Sequence, residues 1–285
     1  MSGISLGAFD LLKLAVPSSF SATQPPNPDL WTPAALGSTR NRIWLDTYDS
    51  QNFSLNGGAI AQINDLSGNG KHVVAAAGRE PAYSATGLNG KPTMNFSGRK
   101  YLKSPVLGIG SGVTSLGVFF VARNSGAWED YGRLLGVAYG SANDYDNAGS
   151  AVLALRAVNT DALTSDRNLQ FSPDYVINFA VPFFGYGYFD GANSSFKIAL
   201  NGLTAVTSAS PAMDFNPNIY ALLGISPGAI AGSGDAWNDL ISEVFVFSNL
   251  DSTDLRKAEG YAAWKWGLQG NLPTNHPYKS AAPLI

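Results

Sequence analysis

The chain has 285 residues, 45% of them hydrophobic and 14% charged, with a net charge of −3 and no cysteine. That length holds one large all-β domain or two small ones, and the low charge content argues against a disordered or mainly helical chain. A near-neutral balance without basic clusters leaves no electrostatic basis for binding nucleic acid or an anionic membrane, and the absence of cysteine excludes a disulfide scaffold.

The first forty residues differ from the rest. Phe9, Leu11, Leu12, Leu14 and Val16 form a small apolar group, followed by Phe20 and then by Pro25, Pro26 and Pro28. Prolines fix φ and remove donors, so this stretch is extended and is not a central strand. The pattern predicts an anchoring arm over residues 1–40 ahead of one domain over 41–285. The arm reads equally well as a strap across its own domain and as a plug docking on a neighbouring subunit. No basic segment leads into an apolar one, and Leu6 to Val16 is interrupted by Asp10 and Lys13. The expectation is synthesis in a cytoplasm without a cleaved export signal, and no membrane span.

From Ile43-Trp44-Leu45-Asp46 onward the sequence reads as short strands between turns. Ala59 to Asn64 alternates and ends at Asp65-Leu66-Ser67-Gly68-Asn69-Gly70, where Gly and Asn suit a tight reversal. Thr93 to Phe96, Val113 to Arg123, Leu134 to Ala138 and Ala151 to Leu155 are further strands. Tyr186 to Phe189 leads through Asp190-Gly191-Ala192-Asn193-Ser194 to Phe196 to Leu200, and Asn201-Gly202 turns the chain again into Leu203 to Val206. Asp-Gly and Asn-Gly between apolar runs are strong hairpin signals. Tyr220 to Ile225 and Leu240 to Phe247 complete the set, which indicates an all-β sandwich or jelly roll. One helix follows. Asp251 or Ser252 caps it, Tyr261, Trp264 and Leu268 form its apolar stripe, Gly267 or Gly270 ends it, and Pro273 forbids continuation.

Several of these pieces together resemble the laminin-G-like, concanavalin-A-like jelly-roll family, in the form found in phage virion proteins and bacterial surface proteins. The resemblance covers roughly residues 42–283. It rests on Trp44-Leu45-Asp46, the Asp65 to Gly70 loop, Asn89-Gly90-Lys91-Pro92 with Asn95-Phe96 and Tyr101-Leu102, the two turns at Asp190-Gly191 and Asn201-Gly202, and the close at Leu272-Pro273 and His276-Pro277-Tyr278. It implies two facing antiparallel sheets with function at loops or on a concave face, and it implies that some members bind calcium and sugars. No calcium site of the family carries over residue by residue.

Catalysis finds little support. Glycan hydrolysis needs two carboxylates, about 5 Å apart for retention and farther apart for inversion. The fold's glucanase branch carries a Glu-x-Asp-x-x-Glu strand, whereas Glu243 is followed here by Val244, Phe245, Val246 and Phe247. Glu129 and Asp130 are adjacent and point to opposite faces if extended. His72 and His276 are the only histidines, no Gly-x-Ser-x-Gly elbow exists, and both histidines read as locally hydrogen-bonded. Zinc is not supported, and no cofactor is expected. Calcium stays open at Asn143-Asp144-Tyr145-Asp146-Asn147 and at Asp235 to Asp239, where Asx turns compete as the explanation.

Sugar binding needs flat rings beside hydrogen-bonding groups. Trp128 with Asp130, Tyr145 with Asp144 and Asp146, and Trp237 with Asp235 and Asn238 fit that description. The Phe183 to Tyr188 run adds rings whose alternation allows one exposed side. Core packing competes at each of these rings. The reading is a non-enzymatic virion protein, on capsid or tail, whose arm meets other virion proteins or sister subunits as a homo-oligomer and whose loops meet host surface glycans. The alternatives are a stand-alone lectin or adhesin, and then a glycan-active hydrolase.

Overall fold

The computed structural model describes residues 29–110, 112–124, 132–139, 151–156, 162–167, 170–171, 175–176, 178–209, 215, 217–230, 232 and 234–285. The arm residues Phe9, Leu11, Leu12, Leu14, Val16 and Phe20 lie outside the described residues. The described chain runs through β1 (Asn41–Asp46), β2 (Phe53–Asn56), β3 (Ala59–Ile63), β4 (Val73–Val74), β5 (Ala82–Leu88), β6 (Lys91–Asn95) and β7 (Leu102–Val106). It continues through β8 (Ser115–Ala122), β9 (Gly132–Ala138), β10 (Ala151–Arg156), β11 (Ala162–Arg167), β12 (Gln170–Phe171) and β13 (Tyr175–Val176). Then come β14 (Phe183–Asp190), β15 (Ser195–Leu200), β16 (Val206–Ala209), β17 (Tyr220–Leu223), β18 (Leu240–Ser248) and the helix α1 (Ser252–Trp266).

The strands make a jelly-roll sandwich. One antiparallel layer is ordered β1-β18-β8-β14-β15-β16. The facing layer is ordered β2-β3-β4-β7-β17-β9-β10-β11. The β5-β6 hairpin links the two by pairing with β3 and β18.

Alternation along the strands explains the layering. Ile43, Leu45, Val118, Phe120, Val244 and Val246 point into the sandwich and meet Ile63, Val73, Leu102, Leu135, Val137, Ala221 and Leu223 of the facing layer. Trp44, Phe119, Phe245 and Phe247 point the other way, into a second cluster with Tyr261, Ala262 and Trp266 of α1. β8 and β18 are therefore buried on both faces, which is why they read as continuous apolar runs. The same applies to β14: Tyr186 and Tyr188 are buried against the helix layer, so the run from Phe183 to Tyr188 has no exposed ring face, contrary to the sequence expectation.

The helix begins and ends as its sequence dictates. Asp251 accepts from the backbone N–H groups of Thr253 and Asp254, and Gly267 closes the helix in the left-handed region at φ 71°. The buried face differs from the expected stripe. Trp264 is half-buried and donates its indole N–H to the Tyr278 carbonyl, while Lys265 and Trp266 are buried instead. No helix among the described residues is long and apolar enough to cross a membrane.

Within the stretch assigned to the arm, residues 29–40 lie against the body. Leu30, Trp31 and Leu36 join the helix-side cluster, Leu30 bridges to Leu284, and Trp31 meets Tyr261 edge-on at 6.0 Å.

Turn chemistry sets the registers. Asn201 and Gly202 have φ of 54° and 73°, as a two-residue reversal requires. The returning strand begins at Val206, not at Leu203. Asp65 accepts from the backbone N–H groups of Trp44, Ser67 and Lys71, and the Asn69 amide donates to the Ser38 and Asn41 carbonyls. That loop is a clamp on the start of β1. His72 is exposed and accepts from the Asp65 N–H.

At the β14-β15 turn, Asp190 accepts from the Asn193 backbone and amide and pairs with Lys197 at 3.1 Å. Burial alone would raise its pKa, but the Asn193 and Lys197 contacts hold it below the ordinary carboxylate value. Its stabilising contribution is therefore complete above the unfolded value of about 3.9 and is lost as pH falls through the lower folded value. Acid denaturation followed by tryptophan fluorescence is expected to show a smaller loss of stability on acidification in Asp190→Asn than in the parent.

Candidate functional site

Among the described residues the buried carboxylates are Asp46, Asp65, Asp190, Asp239, Glu243 and Glu259, and each is committed to donors. Asp65 and Asp190 hold turns, as above. Asp239 takes a two-point contact from Arg123 at 3.1 and 3.2 Å. Glu259 meets Arg256 at 2.9 Å and His276 Nε2 at 3.1 Å. His276 Nδ1 accepts from the Tyr278 N–H, so Nε2 carries the proton and donates to Glu259. This histidine fastens the chain's exit onto α1.

Glu243 is the carboxylate whose partners the strand sequence does not supply. The fold brings them from elsewhere. Asp46 stands directly across from it on β1, and Lys265 descends from α1 to bridge both, at 2.8 Å from Asp46 Oδ2 and 3.0 Å from Glu243 Oε2. Glu243 also accepts from the Trp44 and Trp266 indoles and from the Tyr261 hydroxyl, at 2.8, 2.6 and 2.6 Å. Burial, opposed by Lys265 and reinforced by Glu243, pushes the Asp46 carboxyl up to about 6. Two acids do stand together here, but beneath the helix, where no sugar can reach them.

The loop-bearing end of the sandwich offers surface chemistry. The 224–239 segment is anchored there by hydrogen bonds of Leu240 with Arg123, Phe96 with Asp239 and Trp237 with Gly224. Arg99, at φ 61°, donates to the Ala229, Gly232 and Gly234 carbonyls and braces this segment. Ser97 donates to the Asn238 carbonyl, and the Ser226 hydroxyl to Asp235. The arrangement is a polar rim with half-buried carboxylate and amide groups and the partly exposed Arg123 guanidinium.

Of the residues singled out by sequence, Asp235 and Asn238 sit on this rim, half-buried. Trp237 does not serve as a stacking surface. It is fully buried in the inter-sheet core, because its register on the loop points the ring inward. Trp128 and Asp130, and Asp144, Tyr145 and Asp146, lie outside the described residues. The flanks of the first pair, Asn124 and Gly132, border the rim, whereas Ala138 and Ala151, which flank the second group, lie at the opposite end of β9. Among the described residues no three His, Asp or Glu side chains converge as metal ligands. Sequence reasoning missed Arg99 and Arg123. Lys265 was also missed, although a lysine one residue from Trp266 on an apolar helix face is a signal for a buried partner.

No protein-family model and no curated protein sequence matches the chain. Solved structures do. Domain 4 of AbnA, a GH43 extracellular arabinanase from Geobacillus stearothermophilus, in complex with arabinotriose, is 15% identical, with a TM-score of 0.52 over 77% of this chain and 98% of that one. A GH54 α-L-arabinofuranosidase soaked with 4-nitrophenyl α-L-arabinofuranoside is 16% identical, with a TM-score of 0.51 over 82% of this chain and 59% of that one. At these identities the likeness establishes the fold alone: the chain is a β-sandwich.

Proposed function

We propose that this chain is a non-catalytic binding domain that meets glycans through the polar rim around Asp235 and Asn238, displayed on a virion by its N-terminal arm. The observation that carries the reading is the commitment of every buried carboxylate among the described residues, while the rim keeps hydrogen-bonding groups near the surface. Hydrolysis needs an acid pair open to substrate; binding needs only directional polar groups beside apolar surface. The similarity to an arabinanase domain in complex with arabinotriose supports a glycan as the ligand class. The virion role rests on the family resemblance of the sequence and on the proline-rich arm.

Titration of the purified full chain with arabino-oligosaccharides and a wider glycan panel, with and without calcium, tests the rim. Binding without release of new reducing ends is expected, weakened at least roughly tenfold in the Asp235→Ala, Asn238→Ala double variant, which is about 1.4 kcal/mol. New reducing ends, or binding indifferent to that variant, would sink the reading. Removing residues 1–28 is expected to leave a folded domain that no longer joins particles; a truncated chain that still assembles refutes the anchoring role.

A further inference from the structure

Asp46, Glu243 and Lys265 form a reactive geometry as well as an ion pair. Lys265 Nζ is in direct contact with Asp46 Oδ2, Glu243 Oε2 and the Tyr261 hydroxyl, at 2.8, 3.0 and 2.7 Å. The three charged side chains are only 3%, 9% and 1% exposed for Lys265, Asp46 and Glu243. The rings of Trp44, Tyr48, Tyr261 and Trp266 surround the amine, with centroids 5.0 to 5.8 Å from Nζ. A nucleophile, a carboxyl carbon and a second carboxylate are thus held together in a dry aromatic chamber. We propose that Lys265 and Asp46 condense into an intramolecular isopeptide bond, with Glu243 shuttling the proton.

The step balances without any co-reactant. The Lys265 ammonium passes one proton to the Asp46 carboxylate across their hydrogen bond, giving a neutral amine and a neutral acid. The amine lone pair attacks the Asp46 carboxyl carbon, and an N–C bond forms. Glu243 takes a second proton from the nitrogen and returns it to the Asp46 hydroxyl. The C–O bond then breaks and one water leaves. The product is a neutral secondary amide, and Glu243 ends as it began.

Four features of the site favour this outcome. Contact between amine and carboxyl replaces a bimolecular encounter by a positioned one, the largest advantage available to a condensation. Burial disfavours both charges of the pair, so the neutral amine and acid become accessible states. Burial alone would lower the Lys265 pKa, but Asp46 and Glu243 raise it, so proton transfer to Asp46 precedes the attack. Condensation also replaces two buried charges by one amide, and Glu243 keeps its three neutral donors, Trp44, Trp266 and Tyr261. Exclusion of water protects the product from hydrolysis. The bond would tie β1 to α1 and close most of the chain into a loop, a covalent brace in a protein that has no cysteine.

Mass spectrometry of the denatured full chain decides the matter. The parent, held folded at neutral pH, is expected to be lighter than its sequence mass by one water. Its digest should contain a joined peptide carrying both Asp46 and Lys265. Glu243→Gln and Lys265→Arg should retain the full sequence mass, and Asp46→Asn, if it reacts, should lose ammonia in place of water. A parent that keeps its full mass after prolonged incubation overturns the proposal. So does a water loss that the digest places at Asp190-Gly191 or in any other peptide. The parent's own mass and digest suffice even if a variant fails to fold.

Discussion

Glu243→Leu is expected to lower the free energy of unfolding by about 3–5 kcal/mol, the range for removing one partner of a buried ion pair. The substitution is close in volume and keeps β18 apolar, so the loss does not come from a cavity. It comes from stranding three donors at once, the Trp44 and Trp266 indoles and the Tyr261 hydroxyl, and from leaving Lys265 with Asp46 as its one remaining carboxylate. Each buried donor left without an acceptor forfeits the hydration it had in the unfolded chain. Chemical denaturation of parent and variant, each taken before any Asp46–Lys265 condensation, measures the difference. Lys265→Met in the same background should cost less than it does alone, because the Glu243 carboxylate that it would leave unpaired is already gone and the two sites share one network. Additive losses would mean that the cluster does not act as a unit. Glu243→Gln keeps the shape and two acceptor positions, so its loss should be smaller than that of the leucine variant.

The second large effect belongs to Gly224. Its φ of +88° lies where a side chain is strained, and an added Cβ would stand 2.3 Å from Phe96 Cδ1 and 2.7 Å from the Lys100 carbonyl. The carbonyl is backbone and cannot step aside. Overpacking costs about 1–3 kcal/mol and the left-handed conformation about 1–2, so Gly224→Ala is expected to lose about 2–5 kcal/mol. The position matters because Gly224 donates to Leu134 and accepts from Trp237, which sets where β17 ends and the rim segment begins. Denaturation gives the stability loss. Hydrogen exchange should show the rim opening further than β18, and a uniform change across both would contradict this assignment.

Much of the architecture was legible because it is local. Alternation marked β8 and β18, Asn201-Gly202 marked a reversal, and Asp251 and Gly267 marked the helix ends. The errors share one cause. The rings of Trp237, Tyr186 and Tyr188 look available in sequence because polar residues or glycines flank them. Whether a ring faces water depends on what is packed against its strand from elsewhere, and here the inter-sheet core takes Trp237 and the helix layer takes both tyrosines. The apolar stripe of α1 was shifted for the same reason, since Trp264 found a carbonyl at the chain's exit.

By itself the amino-acid order determined the class of fold, the turn positions, the single capped helix and the lack of any disulfide, because each follows from side-chain period, backbone φ preferences or composition. Only the tertiary structure decided that Asp46, Glu243 and Lys265 meet. They come from three elements, β1 near one end of the sequence and the consecutive β18 and α1 near the other, and charges are drawn together in a core only when packing removes the water that would otherwise separate them.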